Sequence, residues 1–118
     1  GVQKGDREGA SRQMTKNYEF FGAPHVAIIT TPGDLGAYGV LDCGAFVTAF
    51  TLAAAAVGVS SIPQAAIAGR APIVREVLNI EDDRDVLCAI SFGFADTGNS
   101  ANSFRTQRAD LIEFVEWI

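Results

Sequence analysis

The chain has 118 residues, of which 48% are hydrophobic, and it carries a formal net charge of -5 at pH 7. Its length allows one domain at most, and its apolar content excludes a wholly disordered chain. The acidic balance argues against a general nucleic-acid binder, because neutralising backbone phosphates requires a basic surface. These properties predict a folded domain with no nucleic-acid partner.

The first predicted element in chain order is a helix capped by Asp6. Its apolar stripe recurs at helical spacing and consists of Ala10, Met14, Tyr18 and Phe21. Gly22 is a natural stop for this helix. The apolar, β-branched segment 25–31 then predicts a strand that is buried on both faces, and a turn follows at 32–34.

Residues 40–57 predict a long helix with apolar side chains on every face. The longest apolar run, residues 45–59, is shorter than a bilayer span requires, so we interpret it as part of a buried helix and expect no membrane contact. A helix that is apolar all round needs more protein around it than so short a chain supplies. Either a dimer partner or a missing N-terminal half would cover it.

The second half of the chain begins with a predicted turn at Pro63 and Gln64. Pro72 then suits the first position of another helix, and Asn79 is expected to end that helix. The side of this helix that is expected to be buried consists of Ile73, Val74, Val77 and Leu78. The acidic segment 81–85 predicts a loop.

Residues 86–94 form the second predicted buried strand. Asp110 and Glu113 have the spacing of a capping box, which predicts a final helix with an apolar face. Two buried strands with helices between them indicate an α+β fold or α/β-like layers. Since two strands alone do not make a stable open sheet, this reading again implies missing structural partners.

Few side chains suggest acid–base, nucleophilic or metal chemistry. His25 is the single histidine and begins a predicted strand, so a structural role is expected and no Ser/His/Asp triad is available. Cys43 and Cys88 lie among apolar neighbours without the spacing of metal ligands, which predicts buried free thiols, although the sequence leaves a disulfide open. We therefore expect no metal site. Because no signal peptide is visible in the sequence, we expect the protein to lie in the cytoplasm.

Five pieces of the chain share their order and spacing with a known family. They are Asn-Tyr-Glu-Phe-Phe-Gly-Ala-Pro at 17–24 and the segments 42–56, 63–66, 88–94 and 102–108. Together they resemble the C-terminal half of FMN-dependent nitroreductases. The resemblance implies an α+β, nitroreductase-like fold in which helices pack on a small buried sheet. It also implies that residues 1–118 are the C-terminal half of such a domain, without its N-terminal half.

By this resemblance, Pro63, Gln64, Ala65 and Ala66 would lie beside the isoalloxazine ring of FMN. A main-chain N–H group of Ala65 or Ala66 would point at flavin N5, the atom that accepts and gives the hydride. The small side chains of the two alanines would let the backbone approach the ring closely. Because such a donor tunes the cofactor, the resemblance implies no catalytic side chain.

The same resemblance gives Arg105 the role of the family arginine that binds the FMN phosphate. A guanidinium is planar and always charged, so it can hold a phosphate with two hydrogen bonds. Asn102 and Ser103 are close enough in sequence to add polar contacts. Arg108 is interpreted as an ordinary surface charge.

The implied function is an FMN-dependent oxidoreductase that passes hydride from NAD(P)H through FMN to a nitroaromatic or quinone-like acceptor. The implied assembly is a homodimer, and a fragment that lacks the N-terminal half need not be active. One alternative is a non-catalytic dimerisation or flavin-binding module. Another is a soluble α/β domain in which residues 63–66 form an ordinary turn.

Overall fold

The computed structural model describes residues 2–118, so Gly1 of the predicted unit 1–118 lies outside the described residues. Three helices and three strands form the regular structure: α1 (Arg7–Thr15), β1 (His25–Pro32), α2 (Gly36–Ala56), β2 (Ser60–Gln64), α3 (Ala71–Leu78) and β3 (Arg84–Gly93). Short 3₁₀ helices lie between and after them: Phe20–Gly22, Gly33–Leu35, Ala65–Arg70, Ser100–Asn102 and Leu111–Glu113. This arrangement confirms the α+β class.

The three strands form one antiparallel sheet in the order β1-β3-β2. The two predicted strands are confirmed and are neighbours, with His25 opposite Phe92 and a bulge between Ile29 and Thr30. The core lies around the central strand β3, where Ala89 and Ile90 are fully buried. β1 is mostly half-buried, so the expectation that it is covered on both faces is wrong for this chain.

The predicted turn at Pro63 and Gln64 is wrong, because both residues belong to β2. Pro63 lies opposite Ile90 and Gln64 lies opposite Ala89. β2 is an edge strand, and proline is tolerated there because its missing N–H can face away from the sheet. The chain turns only after Gln64, where a 3₁₀ helix begins at Ala65.

The first helix is shorter than its apolar stripe suggests. Asp6 caps it as predicted, since the Asp6 Oδ1 accepts a hydrogen bond from the Gly9 N–H at 2.8 Å. The helix ends at Thr15, however, and Phe20 and Phe21 have positive φ angles of 51° and 54°. Left-handed backbone is incompatible with a continuing α-helix, so the stripe does not extend through this segment.

α2 begins earlier than predicted, at Gly36, and its length removes the argument against a bilayer span. The helical segment Gly33–Ala56 has 24 residues and a mean hydropathy of 1.6, so by length and composition it could cross a membrane. The core helix of a globular fold can have the same properties. The helix is therefore not too short for a bilayer span, and its packing has to decide its role.

One face of α2 packs against the sheet. Gly39 lies so close to β1 that an added Cβ would come within 2.3 Å of the Thr31 Oγ1. Near the other end of the helix, the Phe50 and Phe92 rings meet edge to face with centroids 5.3 Å apart. Several large apolar side chains of α2 remain exposed: Tyr38, Val40, Leu41, Phe46 and Leu52. The expectation that this chain alone cannot cover the helix is confirmed.

α3 has the predicted ends but not the predicted burial. Pro72 lies in its first turn, and Asn79 ends it in the left-handed conformation with a φ of 52°. Ile73, Val77 and Leu78, which were expected to be buried, are more than half exposed. An amphipathic pattern predicts that a face will be covered, and within residues 2–118 no element covers this one.

The C-terminal segment contains little regular structure. Asp110 and Glu113 do form the predicted capping box, but it encloses only the 3₁₀ helix Leu111–Glu113. The predicted α-helix is therefore wrong, and the apolar residues that were expected to form its face are largely exposed, including Leu111 and Phe114.

The whole chain exposes more surface than a compact protein of its size. Its accessible surface is 9277 Å², against about 6200 Å² for a compact monomer of this mass. Its radius of gyration is 16.7 Å, against about 13.5 Å for a compact domain of this length. The excess lies partly on the outer face of α2, as expected for a structure that other protein surfaces complete.

Candidate functional site

The segment from the end of β2 into the following 3₁₀ helix is the first part of the candidate site. Pro63 and Ala65 are exposed and Ala66 is half-buried, whereas Gln64 is only 3% exposed. In a 3₁₀ helix each N–H bonds to the carbonyl three residues earlier, so the N–H groups of Ala65 and Ala66 have no partner within the helix. No side chain caps this end. The segment therefore presents main-chain donors and small side chains at the surface.

The side chain of Gln64 is directed into the protein and is fully hydrogen-bonded. Its Oε1 accepts a hydrogen bond from the hydroxyl of Ser91 on β3. Its Nε2 donates to the main-chain oxygen of Asn17 at 2.9 Å and lies 3.4 Å from the Asn17 Oδ1. With both ends of its amide engaged, Gln64 can serve a ligand through its main chain rather than its side chain.

The loop after α1 lies alongside the 3₁₀ helix Ala65–Arg70. Besides the hydrogen bond between Asn17 and Gln64, the Arg70 guanidinium carbon lies 5.5 Å from the centroid of the Tyr18 ring. Tyr18 is 39% exposed. The two contacts hold this aromatic loop against Gln64 at the end of β2 and against Arg70 at the end of the 3₁₀ helix.

Asn102, Ser103 and Arg105 are gathered in one exposed loop. The Asn102 Nδ2 donates to the main-chain oxygen of Asp96 at 2.8 Å, and the Ser103 hydroxyl donates to the Ser100 oxygen at 2.7 Å. The Arg105 Nη1 donates to the main-chain oxygens of Asn102 and Phe104. Within residues 2–118, no carboxylate forms an ion pair with Arg105. Most of its five donors remain available to an anion.

The structure does not join these two groups of residues into one enclosed site. The side-chain hydrogen bonds of Asn102, Ser103 and Arg105 all stay within residues 96–105 of the described chain. The hydrogen bonds of Gln64 lead instead to Asn17 and Ser91. Each group is therefore an open, separate surface that needs further protein to complete it.

The remaining polar and titratable candidates have structural surroundings. His25 stacks on Phe92 with ring centroids 5.4 Å apart, which suits the structural role predicted for it. Cys43 and Cys88 are free and half-buried. Burial raises the pKa of the Cys88 thiol, and the negative charge of a Cys43 thiolate raises it further. Among the described residues, no three His, Cys, Asp or Glu side chains come together as metal ligands.

Asn17 and Ser91 are the site residues whose roles sequence reasoning missed. Ser91 offered a signal, because it is the one hydroxyl within the apolar strand 86–94 and a buried hydroxyl needs a partner. Its partner could not be inferred, because Gln64 is 27 positions away. The Asn17 main-chain oxygen gives no sequence signal at all.

Comparisons with known proteins identify what this fold resembles. The family model described as the nitroreductase family matches residues 2–94. A 4-nitrobenzoate reductase of Pseudomonas putida is 34% identical over 107 residues, which cover 91% of this chain and 47% of that protein. Nitroreductase NfnB of Mycolicibacterium smegmatis is 39% identical over 113 residues, which cover 96% of this chain and 48% of that protein.

Solved structures agree with these relatives. The crystal structure of the FMN-dependent nitroreductase NfnB from Mycobacterium smegmatis in complex with NADPH superposes with a TM-score of 0.94 and 34% identity. That match covers 100% of this chain and 53% of the solved chain, so this chain spans about half the length of the relatives it matches. The resemblance to this family and the expected fold are both confirmed, and the chain belongs to the nitroreductase family.

Proposed function

We propose that this chain is one half of an FMN-dependent oxidoreductase of the nitroreductase type. The observation that carries the proposal is the pair of main-chain donors at Ala65 and Ala66 that lack partners in their helix, placed at the end of an edge strand in a chain of this family. We assign residues 1–118 to the C-terminal half of the domain. The match to about half of each relative supports this assignment.

The residues present fit the ring of FMN. The N–H groups of Ala65 and Ala66 lack partners inside their helix, and the exposed side chain of Pro63 offers an apolar surface beside them. Gln64 belongs to the same segment, and its buried side chain leaves the ring side to the main chain. Bound FMN would supply the hydride chemistry. The chain itself would hold and orient the ring and would supply N–H donors to it.

The residues present also fit a phosphate. Arg105 is exposed, has no carboxylate partner within residues 2–118 and keeps unused donors, so its guanidinium can bind a phosphate dianion. Asn102 and Ser103 lie in the same loop and could add hydrogen bonds after modest rotation of their side chains. We therefore propose Asn102, Ser103 and Arg105 as the phosphate side of the site.

The proposed electron donor is NAD(P)H, and the proposed acceptor is a small aromatic compound, nitroaromatic or quinone-like. Two relatives support an aromatic acceptor through the reactions for which they are named, the reduction of 4-nitrobenzoate in each case. A structural neighbour in complex with NADPH supports the donor. We propose the cytoplasm as the location, since NAD(P)H is generated and used there.

We further propose that the protein is a homodimer with the outer face of α2 at or near the interface. Leu41 and Leu52 are 68% and 67% exposed and lie three helical turns apart, so they occupy the same face. Exposed apolar surface of this extent is uncommon on a monomer. The N-terminal half of the domain is the other surface that could cover part of α2.

The alternative function is a module that binds flavin or dimerises without catalysis. The open, incomplete surfaces at Ala65 and Arg105 favour it over a complete enzyme for the 118-residue chain taken alone. The test is to purify the protein, add FMN and then NAD(P)H with a nitroaromatic acceptor. Bound flavin with oxidation of NAD(P)H supports the enzyme proposal, bound flavin alone supports a flavin-binding module, and a dimer without flavin supports a dimerisation module. A monomer that binds no flavin contradicts both readings.

A further inference from the structure

Gln64 is a buried polar side chain at the point where β2 becomes the 3₁₀ helix Ala65–Arg70. Gln64 and its partner Ser91 are only 3% and 1% exposed. Burying an amide and a hydroxyl is costly unless both are hydrogen-bonded, and here both are. An apolar side chain could fill the same space without a partner, so the polar link calls for an explanation other than packing.

The link connects three segments that are distant in the sequence. Ser91 lies on the central strand, Gln64 ends the edge strand, and Asn17 lies in the loop after α1. The Gln64 amide donates at one end and accepts at the other, so only one orientation of the side chain satisfies both neighbours. A satisfied buried network of this kind selects one local conformation.

The conformation of Gln64 determines where the next N–H group points. The Gln64 carbonyl and the Ala65 N–H share one planar peptide unit, and the Ala66 N–H belongs to the unit that follows. We propose that Gln64 is a positioning residue, anchored by Ser91 and Asn17, that fixes the direction of the Ala65 and Ala66 donors toward a bound flavin. The flavin part rests on the proposed function, whereas the ordering of the two N–H groups needs no ligand.

The first experiment measures that ordering in the unliganded protein. Backbone ¹⁵N order parameters are compared between the wild type and Ser91→Ala, which removes the donor to Gln64. We expect the values at Ala65 and Ala66 to fall from about 0.85 to below about 0.6, while those along β3 stay high. Unchanged values at the two alanines in a folded variant would overturn the proposal.

Two further variants separate positioning from a general loss of stability. The double variant Gln64→Met with Ser91→Ala removes both buried polar partners, so it leaves no orphaned group between them and should fold even if Ser91→Ala does not. We expect it to lose order at Ala65 and Ala66 as well. Ser91→Thr keeps the hydroxyl and should retain the order. If the double variant keeps wild-type order at both alanines, the proposal is wrong.

The matched control is Thr31→Val, which removes a similarly buried hydroxyl from β1, the strand that does not touch β2. It should lower stability without changing the order at Ala65 and Ala66. An equal loss of order in Thr31→Val and Ser91→Ala would mean that any core defect loosens this segment, and it would overturn the specific role of Gln64.

The second experiment tests the link to the cofactor. In Ser91→Ala, the affinity for FMN should fall roughly three- to tenfold, the effect expected for one misplaced neutral hydrogen bond, and the reduction potential of bound flavin should shift. An unchanged affinity and potential despite lost order would overturn the flavin part alone. If the wild type binds no FMN even when the N-terminal half of the domain is supplied, the proposed function is refuted, while the order parameters still decide the role of Gln64.

Discussion

Phe50 of α2 meets Phe92 of β3 edge to face, with ring centroids 5.3 Å apart. His25 of β1 stacks on the same Phe92 ring, with ring centroids 5.4 Å apart. This aromatic cluster joins the long helix to two strands of the sheet. α2 also packs against β1 and β2, and the Phe50–Phe92 contact adds a link from the helix to the central strand.

Removal of the Phe50 ring should therefore destabilise the protein. We expect Phe50→Ala to lower the free energy of unfolding by roughly 2–3 kcal/mol, less than for a fully buried ring because Phe50 is half-buried. Phe94→Ala is the matched control, since Phe94 follows the same strand but is 86% exposed. Urea denaturation measures both. Equal losses in the two variants would show that the cluster does not hold the helix.

The outer face of α2 should mediate association. We expect Leu41→Glu combined with Leu52→Glu to convert the assembly into smaller species, because two charges would have to be buried at the interface. Gln13→Glu, on the exposed surface of α1, adds the same type of charge and should leave the assembly unchanged. Light scattering measures the mass. A compact wild-type monomer, or wild-type protein that sediments with lipid vesicles, would contradict this account of α2.

Cys88 should make stability decrease in alkaline solution. Burial and the neighbouring Cys43 disfavour the Cys88 thiolate, which raises its pKa in the folded state. The folded protein then keeps a proton that the unfolded chain releases. The stabilisation is complete below about pH 8.5, the pKa of a free thiol, and is lost as the pH rises through the higher folded value. We expect Cys88→Ser to flatten this decline in urea titrations at pH 7.5 to 10. If the free energy of unfolding of the variant declines with pH as steeply as that of the wild type, Cys88 is not the cause of the decline.

Much of the fold could be predicted from the sequence, where local pattern and final structure agree. Long apolar segments predicted β1, β3 and α2. Helix ends could also be predicted at Asp6, Pro72 and Asn79, because a residue at a helix end interacts only with its near neighbours in the chain. β2 could not be predicted, because Ser-Ser-Ile-Pro-Gln has no apolar alternation and becomes a strand only by pairing with β3. For α2 and α3 the sequence predicts more burial than the structure shows. Their apolar residues predict that another protein surface covers these helices, but they do not identify that surface.

For the candidate site too, some features could be predicted from the sequence and others could not. The small residues Ala65 and Ala66 and the charged Arg105 could be selected from the resemblance, because their chemistry is local. The orientation of Gln64 could not, since its partners Ser91 and Asn17 are 27 and 47 positions away. Sequence reasoning assigned Gln64 to the flavin, and the structure turns its side chain toward the core.

Arg105 should contribute to FMN binding through the phosphate. We expect Arg105→Ala to weaken FMN binding by roughly 1.5–3 kcal/mol, the scale of a charged hydrogen bond. Riboflavin lacks the phosphate and should lose much less affinity. Arg108→Ala is the matched control, because Arg108 lies in the same exposed segment and donates only to Thr106. Equal losses for FMN and riboflavin would mean that Arg105 acts on the fold.

The central claim is that the flavin ring lies against the backbone at Ala65 and Ala66. It is tested most directly by titrating FMN into the wild type and into Ala66→Val, with flavin fluorescence as the signal and circular dichroism as the check on folding. Gly69→Ala is the control, since a methyl group there would meet open space in the same 3₁₀ helix. We predict that the wild type and Gly69→Ala bind FMN equally, and that Ala66→Val binds it more weakly while staying folded, because a β-branched side chain crowds the approach to the ring. Undiminished FMN affinity in folded Ala66→Val would contradict the claim and place the cofactor elsewhere.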